Sequence, residues 1–523
     1  MPASRPELSL VPRPRKVSPR PGRFVLDAGT CVRAQPGAEA AAELLRTLVG
    51  PATGLPLAPA ADGRIVLALD PQLGGLGGLG DEGYGLTVGP QALLLRAARP
   101  TGLLRGVQTI RQLLPPEALS GGARAESWEL PCVEISDVPR YPWRGAMLDV
   151  ARHFQPVSYL HRYVDLLAFH KLNTLHLHLT DDQGWRMPVD AFPRLTSVGS
   201  HRAQSLSDGV PHSGAYTKQE LRDLVDHAAA RGVTVVPEIE MPGHVRAALA
   251  AYPELGNHPG RSLDVWTRWG VCDTVLGVHE QVFDFCRTVL EEVMDVFPSP
   301  YIHIGGEECP TTEWENSPAA RERAAAEGLP GPGALHGWFM GRIGSFLVER
   351  GRRPTGWAET GTELPLDFTV MTWRDPDHAR AAARRGHRVV SAHHRATYLD
   401  YAQSTDPGEP PAQPGAPVPL HTVYGNEPVP EDWETGEAEL ILGTQAQLWT
   451  EYVRTPDRIE YLTYPRLCAL ADRAWSGSGS DWPGFVERLR HHTARLDALG
   501  VPYHPLTPRS LMTASAGTAP SPR

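Results

Sequence analysis

Leu175-His-Leu-His-Leu-Thr-Asp-Asp-Gln-Gly-Trp185 alternates apolar and polar side chains and then runs into two acids. A period of two is that of an extended strand, whose successive side chains point to opposite faces. The run is one of eight short, mostly apolar stretches that follow Pro142: 145–150, 173–179, 233–239, 301–305, 353–357, 368–373, 388–392 and 440–446. Amphipathic stretches at helical spacing lie between several of them, over 157–171, 217–231, 280–297, 334–351 and 457–475. Thr217-Lys-Gln-Glu220 is a capping box, a helix-start signature whose side chains bond the free amides of the first turn. Eight strands alternating with helices predict a (β/α)8 barrel, which carries its chemistry in the loops after the strands.

The polar residues fall on that rim. Arg152 follows the first strand and Asp181 and Asp182 the second, while Glu238, Glu240 and His244 close the third. Glu307 and Glu308 end the fourth, Trp357 the fifth and Trp373 the sixth; Tyr398 and Asp400 follow the seventh, and Trp449 and Glu451 the eighth. Carboxylates and tryptophans converging on one rim suit a sugar, whose hydroxyls bond acids and whose C–H faces stack on rings. In Ile302-His-Ile-Gly-Gly-Glu-Glu308 the adjacent acids diverge on extended backbone and can do different work. His176 and His178 share a strand face and could ligate a metal, but satisfied core histidines are the expectation. No metal is expected. Neither a Gly-x-Ser-x-Gly elbow nor a catalytic cysteine signature occurs.

Ahead of the barrel, a smaller mixed α/β domain is expected over 20–140. It has strand-like runs at 24–27 and 64–69, a hairpin from 84–88 to 92–98 around Gly89-Pro90, and a helix over 101–114 stopped by Pro115-Pro116. The glycine-rich 73–80 stretch lacks the strand-to-helix context of a phosphate loop and reads as a plain loop. The expected layout is an N-terminal extension over 1–19, the small domain over 20–140, the barrel over 141–506 and a frayed tail over 507–523.

Composition narrows the class further. The chain has 523 residues, with Lys plus Arg 50 against Asp plus Glu 60, a net charge of −10, which argues against a nucleic-acid partner. Gly 51 and Pro 51 make it turn-rich, yet 41% hydrophobic residues can build a large core. The most apolar candidate span, 40–49, is interrupted by Glu43 and Arg46 and falls short of the ~18 residues that crossing a membrane requires. Cys31, Cys132, Cys272, Cys286, Cys309 and Cys468 show no Cys-x-x-Cys spacing, so isolated thiols are expected. The basic N-terminus has no apolar region behind it, and a cytoplasmic location is the expectation.

Trp143–Phe154 (WRGAMLDVARHF), His176–Arg186 (HLHLTDDQGWR), Pro237–His244 (PEIEMPGH), His303–Glu308 (HIGGEE) and Leu448–Glu451 (LWTE), in this order, resemble glycoside hydrolase family 20. The resemblance covers roughly residues 20–500 and implies an exo-acting β-N-acetylhexosaminidase. Such an enzyme works by substrate-assisted retaining hydrolysis and without a cofactor. It implies Glu308 as the general acid and base and Glu307 as the grip on the acetamido nitrogen. Tyr398 would bond the acetamido oxygen, Trp338 and Trp357 wall the acetyl pocket, and Trp449 floor the sugar ring. Arg152, Asp400 and Glu451 would clasp hydroxyls, and Asp181 with His244 would support the acid. The implied partner is an oligosaccharide or glycoconjugate ending in N-acetylhexosamine, with no nucleic acid and no membrane. Glu307 and Glu240 stand where the family pattern has aspartate, each longer by one methylene, about 1.5 Å. That departure keeps open a weakened, sugar-binding or sensory protein, and a hexosaminidase for a modified sugar.

Overall fold

A computed structural model of the chain describes residues 8–511, apart from 76, 77, 123, 124, 207, 208, 361, 362, 431, 478, 480 and 509. The first seven residues of the expected extension, two of the glycine-rich loop and most of the expected tail lie outside the described residues. By its contacts the chain divides into two compact units: one runs to Pro139 and takes in Tyr401–Asn426 and the chain from Glu460, the other comprises Arg140–Asp400 and Glu427–Ile459.

The first unit is built on a mixed six-stranded sheet. Its strands are β1 (Lys16–Asp27), β2 (Val32–Ala34), β3 (Ile65–Leu69), β4 (Tyr84–Val88), β5 (Leu93–Ala97) and β6 (Ser127–Asp137), in the order β1-β6-β4-β5-β3-β2. Helices Glu39–Thr53 and Pro100–Leu113 bury apolar faces in its core with Phe24, Leu67, Leu95 and Ile135. Asp137, at the end of β6, gathers buried donors: Tyr84 donates its hydroxyl at 2.7 Å, Trp475 its indole N–H at 2.9 Å and Arg15 its amide at 3.0 Å.

The second unit contains the barrel. β7 (Trp143–Asp149), β8 (Thr174–His178), β9 (Thr234–Glu238), β10 (Tyr301–His303), β11 (Arg353–Ala358), β12 (Thr369–Thr372), β13 (Arg388–Ser391) and β14 (Ile441–Leu448) close in sequence order, each parallel to its neighbours. All eight fall on the runs read from the sequence. The inward side chains include Trp143, Val236, Trp357, Met371 and Val390, a packed centre rather than a pore. The capping box at Thr217 forms as expected, with Thr217 Oγ1 accepting the Glu220 amide at 3.1 Å and Glu220 accepting the Thr217 amide at 2.7 Å.

Several elements differ from expectation, helix Glu39–Thr53 and β2 among them. The single helix expected over 457–475 is two, Pro456–Thr463 and Arg466–Trp475, because Pro465 has no N–H to donate and its ring crowds the preceding turn. Helix Pro376–Arg384 between β12 and β13 goes unread because its buried side is all alanine, Ala379, Ala382 and Ala383, which gives little apolar contrast. The eleven-residue β6 was likewise unread. Among the described residues no helix is long and apolar enough to cross a membrane, and all six cysteines are free.

Asp137→Ala would leave two side-chain donors and the amides of Arg15 and Val138 without this acceptor. It is expected to cost on the order of 3 kcal/mol in urea unfolding, with Asp137→Asn costing clearly less because it keeps one acceptor oxygen.

Candidate functional site

Buried charge organises the C-terminal end of the barrel. Asp149 closes β7 and accepts the amides of Ala151 at 2.8 Å, Arg152 at 3.0 Å and Thr450 at 3.1 Å, tying the loop after β7 to the loop after β14. So anchored, Arg152 reaches Asp181 at 2.8 Å, donates its Nε–H to Gln183 at 2.9 Å and lies 5.1 Å over the Trp449 ring. A short hairpin, Thr180–Asp181 against Gly184–Trp185, turns Asp181 back toward the rim.

His178, the last residue of β8, bridges two acids. Its Nε2 is 2.9 Å from Asp181 and its Nδ1 lies in close contact with Glu238. Glu238 ends β9 and is fully buried, with His303 Nδ1 at 2.7 Å, His176 Nε2 at 3.1 Å and the Trp357 indole N–H donated at 2.7 Å. Burial alone would raise its carboxyl, but His303, His178 and His176 hold it well below the usual range. Burial likewise opposes charge on His178, yet Glu238 and Asp181 raise it to about 10, whereas burial drives His176 down to about 4. Asp181 stays ionised despite burial because Arg152 and His244 face it.

After β10 the chain turns through Gly305 (φ 65°), Gly306 (φ 99°) and Glu308 (φ 47°), left-handed conformations that favour glycine. Gly305 is required on a second count, since a Cβ there would lie 1.8 Å from a Glu240 carboxylate oxygen. The turn separates the adjacent acids: Glu307 is buried at 8% exposure, while the Glu308 side chain keeps 32%. Glu308 Oε2 lies 3.8 Å from His244 Nε2, and His244 Nδ1 lies 3.2 Å from Asp181 and 3.3 Å from Asp182. Burial works against a charge on His244, but Asp181 and Asp182 raise its ring well above the ordinary value. On the other side, Arg374 Nη2 is 3.5 Å from Glu308 Oε1, and Glu359 accepts both the Glu308 amide at 2.8 Å and Arg374 Nε–H at 3.1 Å. A hollow of about 370 Å³ beside Glu308 is lined also by Gly306, Cys309, His336 and Glu359.

Burial pushes Glu307 up to about 7 against the pull of His244, with Glu238 adding to the rise. Glu240 is raised well above the carboxylate range by burial, then by Glu307 and Glu238. Neither Glu240 oxygen, nor Oε2 of Glu307, has a hydrogen-bond partner among the described residues.

Aromatic side chains complete the centre. Trp357 and Trp449 lie 6.0 Å apart, Tyr398 is 6.2 Å from Trp449, and Trp373 stacks on Tyr398 at 6.4 Å and 15°. Tyr398 is held by the bond from the Leu399 amide to the Gln447 carbonyl, and burial with Asp400 raises its hydroxyl. Burial raises Glu451, with Arg152 opposing. Trp338 does not join them. On helix Leu335–Glu349 the residues facing the strand end are His336, 2.7 Å from the Gly306 carbonyl, and Met340, packed against the Gly306 α-carbon. Two positions away at ~100° per residue, Trp338 points outward. There it packs on Phe283 at 5.2 Å, between Arg323 and Arg342.

Several participants escaped the sequence reading: Asp149, the Glu238 hub, Glu359 and Arg374. A signal existed for Glu238, because Val236 and Glu238 pair in register with His176 and His178 and so share the inward face. His176–Glu238–His303, His178–Glu238–Glu240 and Asp181–Asp182–His244 each bring possible metal-ligand atoms within 4.8 Å. In these groups His178 and His244 already face Glu238, Asp181 and Asp182 as ion pairs, and the uncharged His176 lies 3.1 Å from Glu238, which is the arrangement of a charge network.

The model of glycosyl hydrolase family 20, catalytic domain, matches residues 141–478, and that of the same family's domain 2 matches residues 7–138. A beta-hexosaminidase of Porphyromonas gingivalis is 37% identical over 95% of the chain, which spans 64% of that relative's length. A beta-N-acetylhexosaminidase of Cellulomonas fimi is 32% identical over 95% of this chain and 96% of its own. The solved N-acetyl-beta-hexosaminidase of Streptomyces plicatus superposes with a TM-score of 0.84 at 33% identity, covering 97% of this chain and 98% of that one.

The raised Glu307 carboxyl carries a stability cost with a definite sign. Folded, it keeps its proton up to about pH 7, whereas unfolded it ionises near its ordinary value of 4.5, so the folded state loses ground between those pH values. Glu307→Gln lacks this loss. Its advantage in thermal or urea unfolding should be absent below pH 4.5, grow through neutrality and level off above, reaching at most about 3 kcal/mol.

Proposed function

Because the chain belongs to glycosyl hydrolase family 20, we propose that its barrel centre is the active site of an exo-acting β-N-acetylhexosaminidase, releasing terminal β-linked N-acetylglucosamine or N-acetylgalactosamine. The observation that carries this reading is the line Asp181–His244–Glu308, which ends in a partly open carboxyl beside a closed aromatic cluster.

In the reaction the sugar lies against Trp449, with Arg152, Asp400 and Glu451 placed for its hydroxyls. Glu308 gives its proton to the departing glycosidic oxygen while the acetamido oxygen attacks the anomeric carbon, forming an oxazolinium. Glu308, now a carboxylate, takes a proton from water, which opens the ring and leaves the product with its original anomeric configuration. His244, held by Asp181 and Asp182, orients the acid. Glu307 accepts the acetamido N–H and balances the positive charge as it forms, which requires its ionised form. Tyr398 donates to the acetamido oxygen, and Trp357 and Trp373 enclose the acetyl group. The six free thiols fit a reducing compartment.

Aryl N-acetyl-β-glucosaminide and its galactosaminide provide the test. Wild type should turn over at least one of them, giving the β-anomer first by NMR, and Glu308→Gln should not; equal rates for both proteins would overturn the assignment. The acidic limb of kcat should fall near pH 7, where Glu307 ionises, and Glu307→Gln should remove that limb while lowering kcat roughly 10²–10³-fold.

The two tryptophans should separate cleanly. Trp373→Ala is expected to raise KM and lower kcat in the same assay, because a wall of the pocket supports ground and transition states alike. Trp338→Ala should leave both constants within about twofold and instead lower the unfolding midpoint, having lost its packing on Phe283.

A further inference from the structure

The acetamido group of the proposed substrate carries a single N–H. Three carboxyl oxygens, both of Glu240 and Oε2 of Glu307, stand without a hydrogen-bond partner among the described residues. Both side chains are more than nine-tenths buried, at 2% and 8% exposure. They leave the ends of neighbouring strands, β9 and β10, and the Glu240 carboxylate lies directly over the α-carbon of Gly305, two residues before Glu307. The cations nearby are already engaged. His244 faces Asp181 and Asp182, Arg152 pairs with Asp181, and His178 is held between Asp181 and Glu238, with its Nδ1 still 3.8 Å from Glu240 Oε1.

Buried acceptors without donors are costly, and two neighbouring buried acids cannot both ionise cheaply. A ligand bringing several N–H donors and one positive charge would meet both demands at once. Rings of Trp357, Trp373, Trp449 and Tyr398 border the same centre, and tryptophan faces attract ammonium groups.

We propose that this pocket also binds hexosamines whose 2-amino group is free, held as the ammonium by Glu240 and Glu307. The proposal rests on the reading of the barrel centre as a hexosamine site. Such a sugar has no acetamido oxygen to attack its own anomeric carbon, so it occupies the site as a competitive ligand. A glycan end that has lost its acetyl group would then hold the enzyme without being released.

Glucosamine, N-acetylglucosamine and glucose, tested as inhibitors of aryl N-acetyl-β-glucosaminide turnover at neutral pH, separate the ammonium's contribution from that of the ring. Glucosamine should bind at least tenfold more tightly than glucose. Glu240→Gln keeps the shape but cannot ionise against an ammonium; it should weaken glucosamine at least tenfold and move N-acetylglucosamine less than threefold. Glucosamine binding no better than glucose, or a Glu240→Gln effect equal for both amino sugars, would overturn the proposal. Calorimetric titration of the same three sugars reads their binding without turnover. An enzyme that fails to cleave the aryl substrate would therefore sink the proposed activity while leaving the ammonium question to be answered separately.

Discussion

Glu238 is a carboxylate closed off from water at the centre of a barrel, and a charge in that position survives only if donors surround it. Three histidines and an indole do so: His303 from β10, His176 and His178 from β8, and Trp357 from β11. The charge passes outward from there. His178, made cationic by Glu238, holds Asp181; Asp181 in turn holds Arg152 and His244, and His244 approaches Glu308. His178, Asp181, Arg152 and His244 are each ionised against the pull of burial because a neighbour of opposite charge faces them, so that part of the network stands as a unit. β8, β9, β10 and β11, the strands that meet around Glu238, also lead into Asp181, His244, Glu308 and Glu359.

Placed on that network, the longer acids at 240 and 307 change more than reach. Glu240 fills the space that any side chain at 305 would need, so the glutamate at 240 requires a glycine at 305. The left-handed turn through Gly305, Gly306 and Glu308 then sends one carboxyl inward and its neighbour toward the opening. One residue of separation along the chain becomes a difference between a buried, proton-holding group and a partly solvated one. In the proposed reaction the partly solvated Glu308 exchanges protons with substrate and water, and the buried Glu307 has to give up its proton before it can balance charge.

The barrel was legible because each strand carries its own short apolar run bounded by turn residues, and the eight runs recur at a spacing that leaves room for helices. The rim acids were legible from their positions just beyond those runs. What escaped were features set by facing rather than by order. Trp338 sits thirty residues after Glu308 in a helix, and nothing in its local sequence says which side of that helix faces the strands; His336 and Met340 take the inward side. Glu238 looked like one strand-end acid among several, since its importance depends on three histidines that meet it only when β8, β9 and β10 are laid side by side. Glu359 and Arg374 act on Glu308 from later strands, a relation no linear motif records. Helix Pro376–Arg384 shows the opposite failure, where a small buried face was too weakly apolar to register.

The fifth strand makes two attachments whose joint effect is mechanical. At its end Trp357 hangs from Glu238 by its indole N–H, and two residues on Glu359 grips the backbone of Glu308. In the proposed reaction, the wall against which the sugar would stack and the acid that would serve its glycosidic oxygen are thus fastened to one short length of chain. When the barrel breathes, a displacement of that strand carries ring wall and proton donor together, and the gap between them is preserved to first order. Alignment of donor and bond is then a property of a single rigid segment, insulated from the looser motions of the loops that surround it.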